Sequence, residues 1–377
     1  MSGFSIIVFS SIFLVVLIIS SLFAHNVFGE TDFYVASSRN SFDLNSGNLV
    51  QKIEIPSALS ILNIGHCPGE LAIYVHGVWA TEENAEEQTE RVFLSIKKAG
   101  YNIPLIGYSW DSNTGFSPDD ISLSEQGWNL AKSIANSNGP LLGKFISQFS
   151  NDCPNDKLRI IAHSLGARVT LSAIQSLYEN STVADNSKKI TSVHLLGPAV
   201  DDEQVSLIEN ECSENNPPLP CSGKAIKDMV KKFYNLYDPE DNMLAPEKIF
   251  IDVTPLNLFD QFFSLFVVSY PSPYMNTEND TPLGAYAIKN KINTPSNYQE
   301  YNVLNKILDQ KDSDQRNGCD LLINLKQFGY SFGDLYSCTI YKKGDNHFGY
   351  LGFRDENDQL QYPGAMSIVV KNWSSEL

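Results

Sequence analysis

The stretch from Leu158 to Leu177, LRIIAHSLGARVTLSAIQSL, constrains this chain more than any other. Apart from Arg159 its first five residues are an apolar run of strand length. Ala162-His163-Ser164-Leu165-Gly166 follows, and then Leu165, Val169, Ala173 and Leu177 recur at helical spacing. A strand that turns sharply into a helix brings two backbones nearly into collision. Small residues are therefore needed two positions before and two after the corner, and Ala162 and Gly166 meet that demand. Such a corner exposes the serine hydroxyl at the carboxyl edge of a sheet, beside a helix N-terminus that favours negative charge. An ordinary strand-to-helix turn is the plain alternative, and the flanking elements weigh against it.

Three further stretches share this setting at strand ends: YVHGVW at 74–79, YDPEDNML at 237–244 and DNHFGYLGF at 345–353. Together with the serine corner they resemble the α/β-hydrolase superfamily, nearest to lipase- or esterase-like serine hydrolases of unassigned substrate. The resemblance reaches over most of residues 70–355 and follows the superfamily's order. It implies an α/β-hydrolase fold: a mostly parallel sheet with helices on both faces. Two departures stand out. Ala162 takes the place of the usual first glycine, and the long interval from Asp241 to His347 implies an insertion at 255–340, a lid or cap before the histidine.

Composition narrows the classes. The chain has 377 residues and 42% hydrophobic content, enough for one large core or two modest ones. Its formal net charge is −17, spread along the chain, which argues against a nucleic-acid partner. Residues 4–24 carry no charge and are long enough to cross a bilayer. They read as a signal peptide or N-terminal anchor within residues 1–29. No Lys or Arg precedes the apolar run, which tells against a standard signal peptide, while Val27-Phe28-Gly29 offers a small-residue cleavage site. Residues 30–377 then form the hydrolase domain, placed outside the cell or at its surface, and membrane contact would come through 4–24.

The six cysteines, Cys67, Cys153, Cys212, Cys221, Cys319 and Cys338, fit that destination. Cys212 with Cys221 is the expected disulfide, because the two bracket a Pro-rich loop with few other means of order. Asn180, Asn279 and Asn372 begin glycosylation sequons. No metal or cofactor is expected: there is no phosphate-cradling glycine loop, no HExxH and no acidic ligand spacing.

In chain order, the pattern predicts a strand over Leu49–Ile55 and another over Leu71–Val75. A helix capped by Thr81 comes next, acidic at its start and closing at Lys97, Lys98 and Gly100. A strand over Ile103–Trp110 precedes helical material from about 122 to 149, broken at Gly139-Pro140. After the serine corner, strands are expected at Ile190–Leu196 and Lys232–Tyr237. Strands alternating with helices imply a parallel sheet covered on both faces. Residues 256–270 carry Phe259, Phe262, Phe263, Phe266 and Val267 at helical spacing, read as a lid helix or a core helix. Residues 276–318 read as a surface excursion.

Serine needs an adjacent base, itself oriented by a carboxylate. Of six histidines, His25 lies in the export segment, His194 is inside an apolar strand, and His163 is too close in sequence to bond Ser164; His66 and His76 precede the serine and are excluded by the order of serine, acid and histidine that the resemblance implies. His163 is instead grouped with Gly77 and Trp79 as a substrate-binding residue. His347, in a polar loop between Gly344 and Gly349, is the expected base. For the acid, the match to the superfamily favours Asp241, with Asp238 the near alternative and Asp201 and Asp202 behind. Leu165 N–H comes with the corner as one oxyanion donor, and Val78 N–H, after the Gly77 turn, is the expected second. The expected catalytic set is thus Ser164, Asp241 and His347, acting on a small-molecule or lipid ester. Acyl transfer, thioester or amide cleavage, and a silent fold used for surface binding stay open as alternatives.

Overall fold

The computed structural model describes residues 33–115, 121–181, 190–212, 217–241, 243–244, 247–255, 264–270, 281–304, 307, 336–341, 347–355 and 359–375. Residues 4–24, expected to be a signal peptide or anchor, lie outside them. Among the described residues no helix is long and apolar enough to cross a membrane.

Among the described residues seven strands make one wholly parallel sheet: β1 (Phe33–Ser37), β2 (Glu70–Val75), β3 (Leu105–Ser109), β4 (Lys157–His163), β5 (Ile190–Leu196), β6 (Val230–Tyr237) and β9 (Tyr298–Asn302). Their order is β1-β3-β2-β4-β5-β6-β9. From β2 the chain steps outward to β3 on one side, and later reaches β4 on the other. Their carboxyl ends flank the switch point where sheets of this kind bind ligands.

Alternate residues along the strands feed two cores. Leu71, Ile73, Val75, Ile106, Tyr108, Leu158 and Ile160 pack with the short helix α1 (Ala58–Leu62) and with α3 (Ile121–Asp152), α4 (Gly166–Glu179) and α5 (Gly223–Met229). Ala72, Tyr74, Leu105, Ile161 and Leu236 pack with α2 (Glu82–Lys98) and α6 (Met366–Ser374) on the other face. Burial on both faces explains why β2 to β5 read as nearly continuous apolar runs. The α2 helix starts as its sequence dictates: Thr81 Oγ1 accepts Asn84 N–H at 3.1 Å and the Asn84 side chain reaches back.

Several expectations need correcting. No strand forms over Leu49–Ile55. Leu49 makes only an isolated bridge to Phe42, and Leu49 and Val50 stay 60% exposed with no neighbouring strand to pair them. The sheet edge is taken by β1, which ends at Ser37, well before Leu49. The long helix α3 is not broken at Gly139-Pro140. Proline removes the N–H that would bond the Asn136 carbonyl, and Ser172 Oγ of α4 donates to that carbonyl at 2.7 Å instead. A Cβ on Gly139 would lie 2.1 Å from Ser172 Oγ, so this glycine lets the two helices cross closely enough for the substitute bond.

The segment read as helical at 256–270 is in part a strand. β8 (Ser264–Tyr270) pairs antiparallel with β7 (Glu247–Pro255), which pairs on its other edge with β10 (Tyr336–Tyr341). Periodicity could not separate helix from strand in so apolar a run, and its β-branched and aromatic residues suit a strand; 256–263 lie outside the described residues. Nor is 255–340 one excursion: at Tyr298–Asn302 the chain rejoins the main sheet as β9, beside β6.

Cys212 is bonded to Cys221, as expected, and Cys67 to Cys153. Arg168, buried on α4, donates to Pro217 O and to Asn136 Oδ1, and Asn136 Nδ2 donates to Pro218 O at 3.1 Å. The Pro-rich loop is thus tied to both long helices as well as by its disulfide. The sequon residue Asn372 is buried on α6, near His194 and Tyr301, and unavailable for glycosylation in the folded chain.

Gly139→Ala tests the helix crossing. In a helix interior this change ordinarily stabilises by about 1 kcal/mol. Here the added methyl meets Ser172, so a loss of about 1–3 kcal/mol is expected, seen as a lower urea midpoint. A raised midpoint would rule out the close crossing.

Candidate active site

Ser164 follows the last residue of β4 and has a positive φ of 53°, a left-handed conformation costly for a residue with a Cβ. The surroundings fix it there. Ser164 N–H donates to Leu196 O at 3.0 Å, and Ser164 O accepts Ala199 N–H at 3.1 Å and Ala167 N–H at 3.1 Å. A Cβ on Gly166 would sit 2.4 Å from Val75 O, so only glycine lets α4 start against the end of β2.

That crowding brings the turn after β2 onto the serine. A Cβ at Gly77 would lie 2.9 Å from Ser164 Cβ and 3.4 Å from its Oγ. The turn is braced from behind. His76 Nδ1–H donates to Gly77 O at 2.8 Å, its Nε2 accepts Trp110 N–H at 3.1 Å, and Trp110 Nε1–H donates to His76 O at 2.9 Å. Trp79, itself at φ 57°, donates its N–H to Ser112 O at 2.8 Å. Arg39 donates to Ser109 Oγ and to Ala80 O at 2.6 and 2.9 Å, linking the loop after β1 to this turn.

Asp241 is fully buried in the loop after β6. Its Oδ1 accepts Met243 and Leu244 N–H at 3.0 and 3.1 Å, and its Oδ2 lies 2.7 Å from His347 Nδ1. Asp238 Oδ1 accepts Glu240 N–H instead, and Asp202 Oδ2 accepts Lys289 N–H. Asp201 bridges to Pro282. His347 is held from a second side: His163 Nε2–H donates to its carbonyl at 2.9 Å, with the two rings 4.7 Å apart. His163 thus acts on the histidine loop as well as lining the pocket.

Ser164, His347, His163, Gly77, Val78 and Trp79 all line one cavity of about 470 Å³. Sequence reasoning missed much of its wall. Trp128, Met243, Leu244 and Phe348 add apolar surface, while α2 contributes Asn84, Glu87, Gln88 and Arg91. Their three-and-four spacing places these four polar residues on one side of α2, whereas the sequence reading of this helix took in only its Thr81 cap, its acidic start and its basic close. Leu165, expected beside the cavity through its N–H, has its side chain buried in the core under the corner.

Burial lowers the pKa of three histidines: His76, down to about 3, with the Arg39 guanidinium adding to the effect, and His163 and His194, both well below the usual range, with His347 beside the first and Arg159 near the second pushing the same way. All three are neutral when folded, whereas in the unfolded chain they titrate near ~6.5. Below that pH the unfolded state binds more protons, so stability is complete above ~6.5 and falls by up to about 1.4 kcal/mol per pH unit per histidine as pH drops. The urea midpoint should therefore fall between pH 8 and pH 5. His194→Phe, remote from the cavity, should flatten that fall, and an identical slope would show that His194 is not held neutral.

Residues 66–254 match the model of an alpha/beta hydrolase family of unknown function, DUF900. No curated protein matches the chain. Among solved structures, a Trichoderma reesei cutinase bound to a phosphonate inhibitor is 21% identical with a TM-score of 0.24, over 38% of this chain and 59% of its own. An acetylxylan esterase is 11% identical with a TM-score of 0.24, over 36% of this chain and 65% of its own. A lidless α/β serine hydrolase from Xanthomonas campestris is 12% identical with a TM-score of 0.26, over 48% and 63%. Similarity of this order speaks to neither substrate nor residue roles. The family match is another matter, since it spans half of the chain and includes the serine corner: the chain belongs to the alpha/beta hydrolase family of unknown function.

Proposed function

We propose that the chain is a serine hydrolase that cleaves carboxylic esters through an acyl-enzyme. Ser164 Oγ attacks the ester carbonyl carbon while His347 Nε2 takes its proton. Asp241 accepts from Nδ1–H and stabilises the imidazolium that forms. The oxyanion is held by Leu165 and Val78 N–H. The alcohol leaves with the proton from His347. Water then attacks the acyl-enzyme, giving His347 a proton that returns to Ser164 as the acid departs.

The observation that carries this reading is the 2.7 Å contact of His347 Nδ1 with fully buried Asp241, in a loop that shares a cavity with a serine held at positive φ. Bonding Nδ1–H to the carboxylate leaves the other ring nitrogen as the basic one, the tautomer that general-base chemistry requires. The apolar part of the cavity suits an acyl chain. Export, with residues 4–24 as signal or anchor, is supported by the two disulfides, which persist in oxidising compartments.

A fluorophosphonate probe should label the wild type and not Ser164→Ala, read by intact mass. His347→Ala and Asp241→Asn should each lower kcat on a short activated ester by roughly 10³–10⁴-fold, and the double variant should be barely worse than the more damaging single one, because triad members act as a unit. Asp238→Asn should do far less. If Asp238→Asn proves the more damaging change, the acid moves three residues earlier. Labelling of Ser164→Ala at the wild-type rate would sink the nucleophile assignment.

A further inference from the structure

One wall of the cavity is unlike the rest. Asn84, Glu87, Gln88 and Arg91 lie along a single stripe of α2, beside the face formed by Ala85, Thr89 and Val92 that packs into the core. A pocket for a plain acyl chain and a simple alcohol has no use for four planar polar groups, which must be desolvated when it fills.

The bonds within the protein fix what this wall presents. Asn84 Oδ1 is engaged by Thr81, through its N–H at 3.4 Å and its Oγ1–H at 2.9 Å, which turns the amide N–H₂ away from the helix start. Gln88 Oε1 accepts Tyr74 O–H at 3.0 Å from a buried tyrosine on β2, which leaves the Gln88 N–H₂ as the group to offer. Arg91 touches Glu87 through one terminal nitrogen at 3.5 Å, while its buried Nε–H has no hydrogen-bond acceptor among the described residues. The stripe therefore offers donors from three residues with one carboxylate acceptor among them.

A ligand anion would satisfy the donors but would meet the Glu87 carboxylate. A hydroxyl group both accepts and donates, so a set of vicinal hydroxyls can answer all four residues. The remaining lining fits the apolar faces of the same molecule. Trp79, Trp128, Met243 and Leu244 all line the same cavity, the two indole rings with centroids 6.2 Å apart.

Resting on the ester-hydrolase reading, we propose that the substrate is an acyl ester of a polyhydroxylated alcohol, a sugar or polyol, whose hydroxyls are held by Asn84, Glu87, Gln88 and Arg91 while the acyl group occupies the apolar side. These α2 residues are specificity determinants. They select the alcohol and take no part in bond breaking.

The test uses three esters of one acid with the purified full chain: hexyl butyrate, 1-monobutyrylglycerol and 6-O-butyrylglucose. The wild type should show a kcat/KM at least about tenfold higher for a hydroxylated ester than for hexyl butyrate, the size expected from one or two hydrogen bonds to polar and charged groups. Glycerol and glucose esters cleaved alike assign the wall to polyols, and preference for glucose assigns it to a sugar ring; both support the proposal. Gln88→Leu and Arg91→Met should each reduce that preference about tenfold, with folding checked by circular dichroism and two variants guarding against loss of either. A wild-type ratio at or below one, with hexyl butyrate turned over, overturns the proposal and leaves the hydrolase reading intact. An unchanged ratio in both folded variants also overturns it. Failure to cleave any of the three, together with no labelling by the phosphonate probe, removes the hydrolase reading and the proposal with it.

Discussion

The close approach of the β4–α4 corner to the end of β2 is the constraint on which the site depends. With a Cβ on Gly166 2.4 Å from Val75 O, and one on Gly77 2.9 Å from Ser164 Cβ, neither position tolerates a larger residue without moving backbone. One steric fact thus sets the strained serine, the start of the α4 dipole and the turn that carries Val78 within one small volume. Strain at Ser164 persists because bonds to Leu196, Ala199 and Ala167 determine its backbone from three directions.

The same region uses buried histidines as neutral struts. His76 donates from one ring nitrogen and accepts at the other, which fixes its tautomer and stiffens the turn after β2. His163 donates to the carbonyl of His347, so the loop bearing that histidine is held by an uncharged group and not by a second carboxylate. Neutrality matters here. A charged His163 beside His347 would oppose the imidazolium that the proposed mechanism needs.

The parallel sheet, both of its layers and the serine corner were legible because each rests on local rules: a buried strand reads as an apolar run, α2 announces itself by Thr81 and its charges, and a tight corner demands Ala162 and Gly166. Asp241 could be ranked above Asp238 only by resemblance, since which carboxylate faces His347 is a matter of loop geometry. What could not be read depends on distant partners. Pro140 reads as a helix break from sequence alone, whereas the Ser172 hydroxyl that answers the Asn136 carbonyl inside an unbroken α3 is supplied by another helix. β9 carries no apolar alternation, since YQEYN is an edge strand with one neighbour among the described residues, and its membership of the sheet is decided by β6. The polar stripe of α2 could not be read as part of a cavity wall, because nothing local in the sequence shows that a cavity lies against it.

The long interval between Asp241 and His347 follows from how its two ends are secured. Asp241 is fixed at the end of β6 by its own turn, one oxygen on Met243 and Leu244 N–H and the other free for His347. The His347 segment is fixed from elsewhere: His163 bonds its carbonyl, and four residues on Ser95 Oγ of α2 donates to Leu351 O at 2.7 Å. A Cβ at Gly352 would lie 2.3 Å from that same Ser95 Oγ, so the segment is seated against α2 by contact as well as by hydrogen bond. With both ends anchored to the sheet and its helices, the chain between them is not asked to position either. Closure entropy grows only as the logarithm of loop length, about 0.6 kcal/mol for each doubling. The interval can therefore hold a small antiparallel sheet and a return to the main one at β9 without loosening the contact of His347 with Asp241.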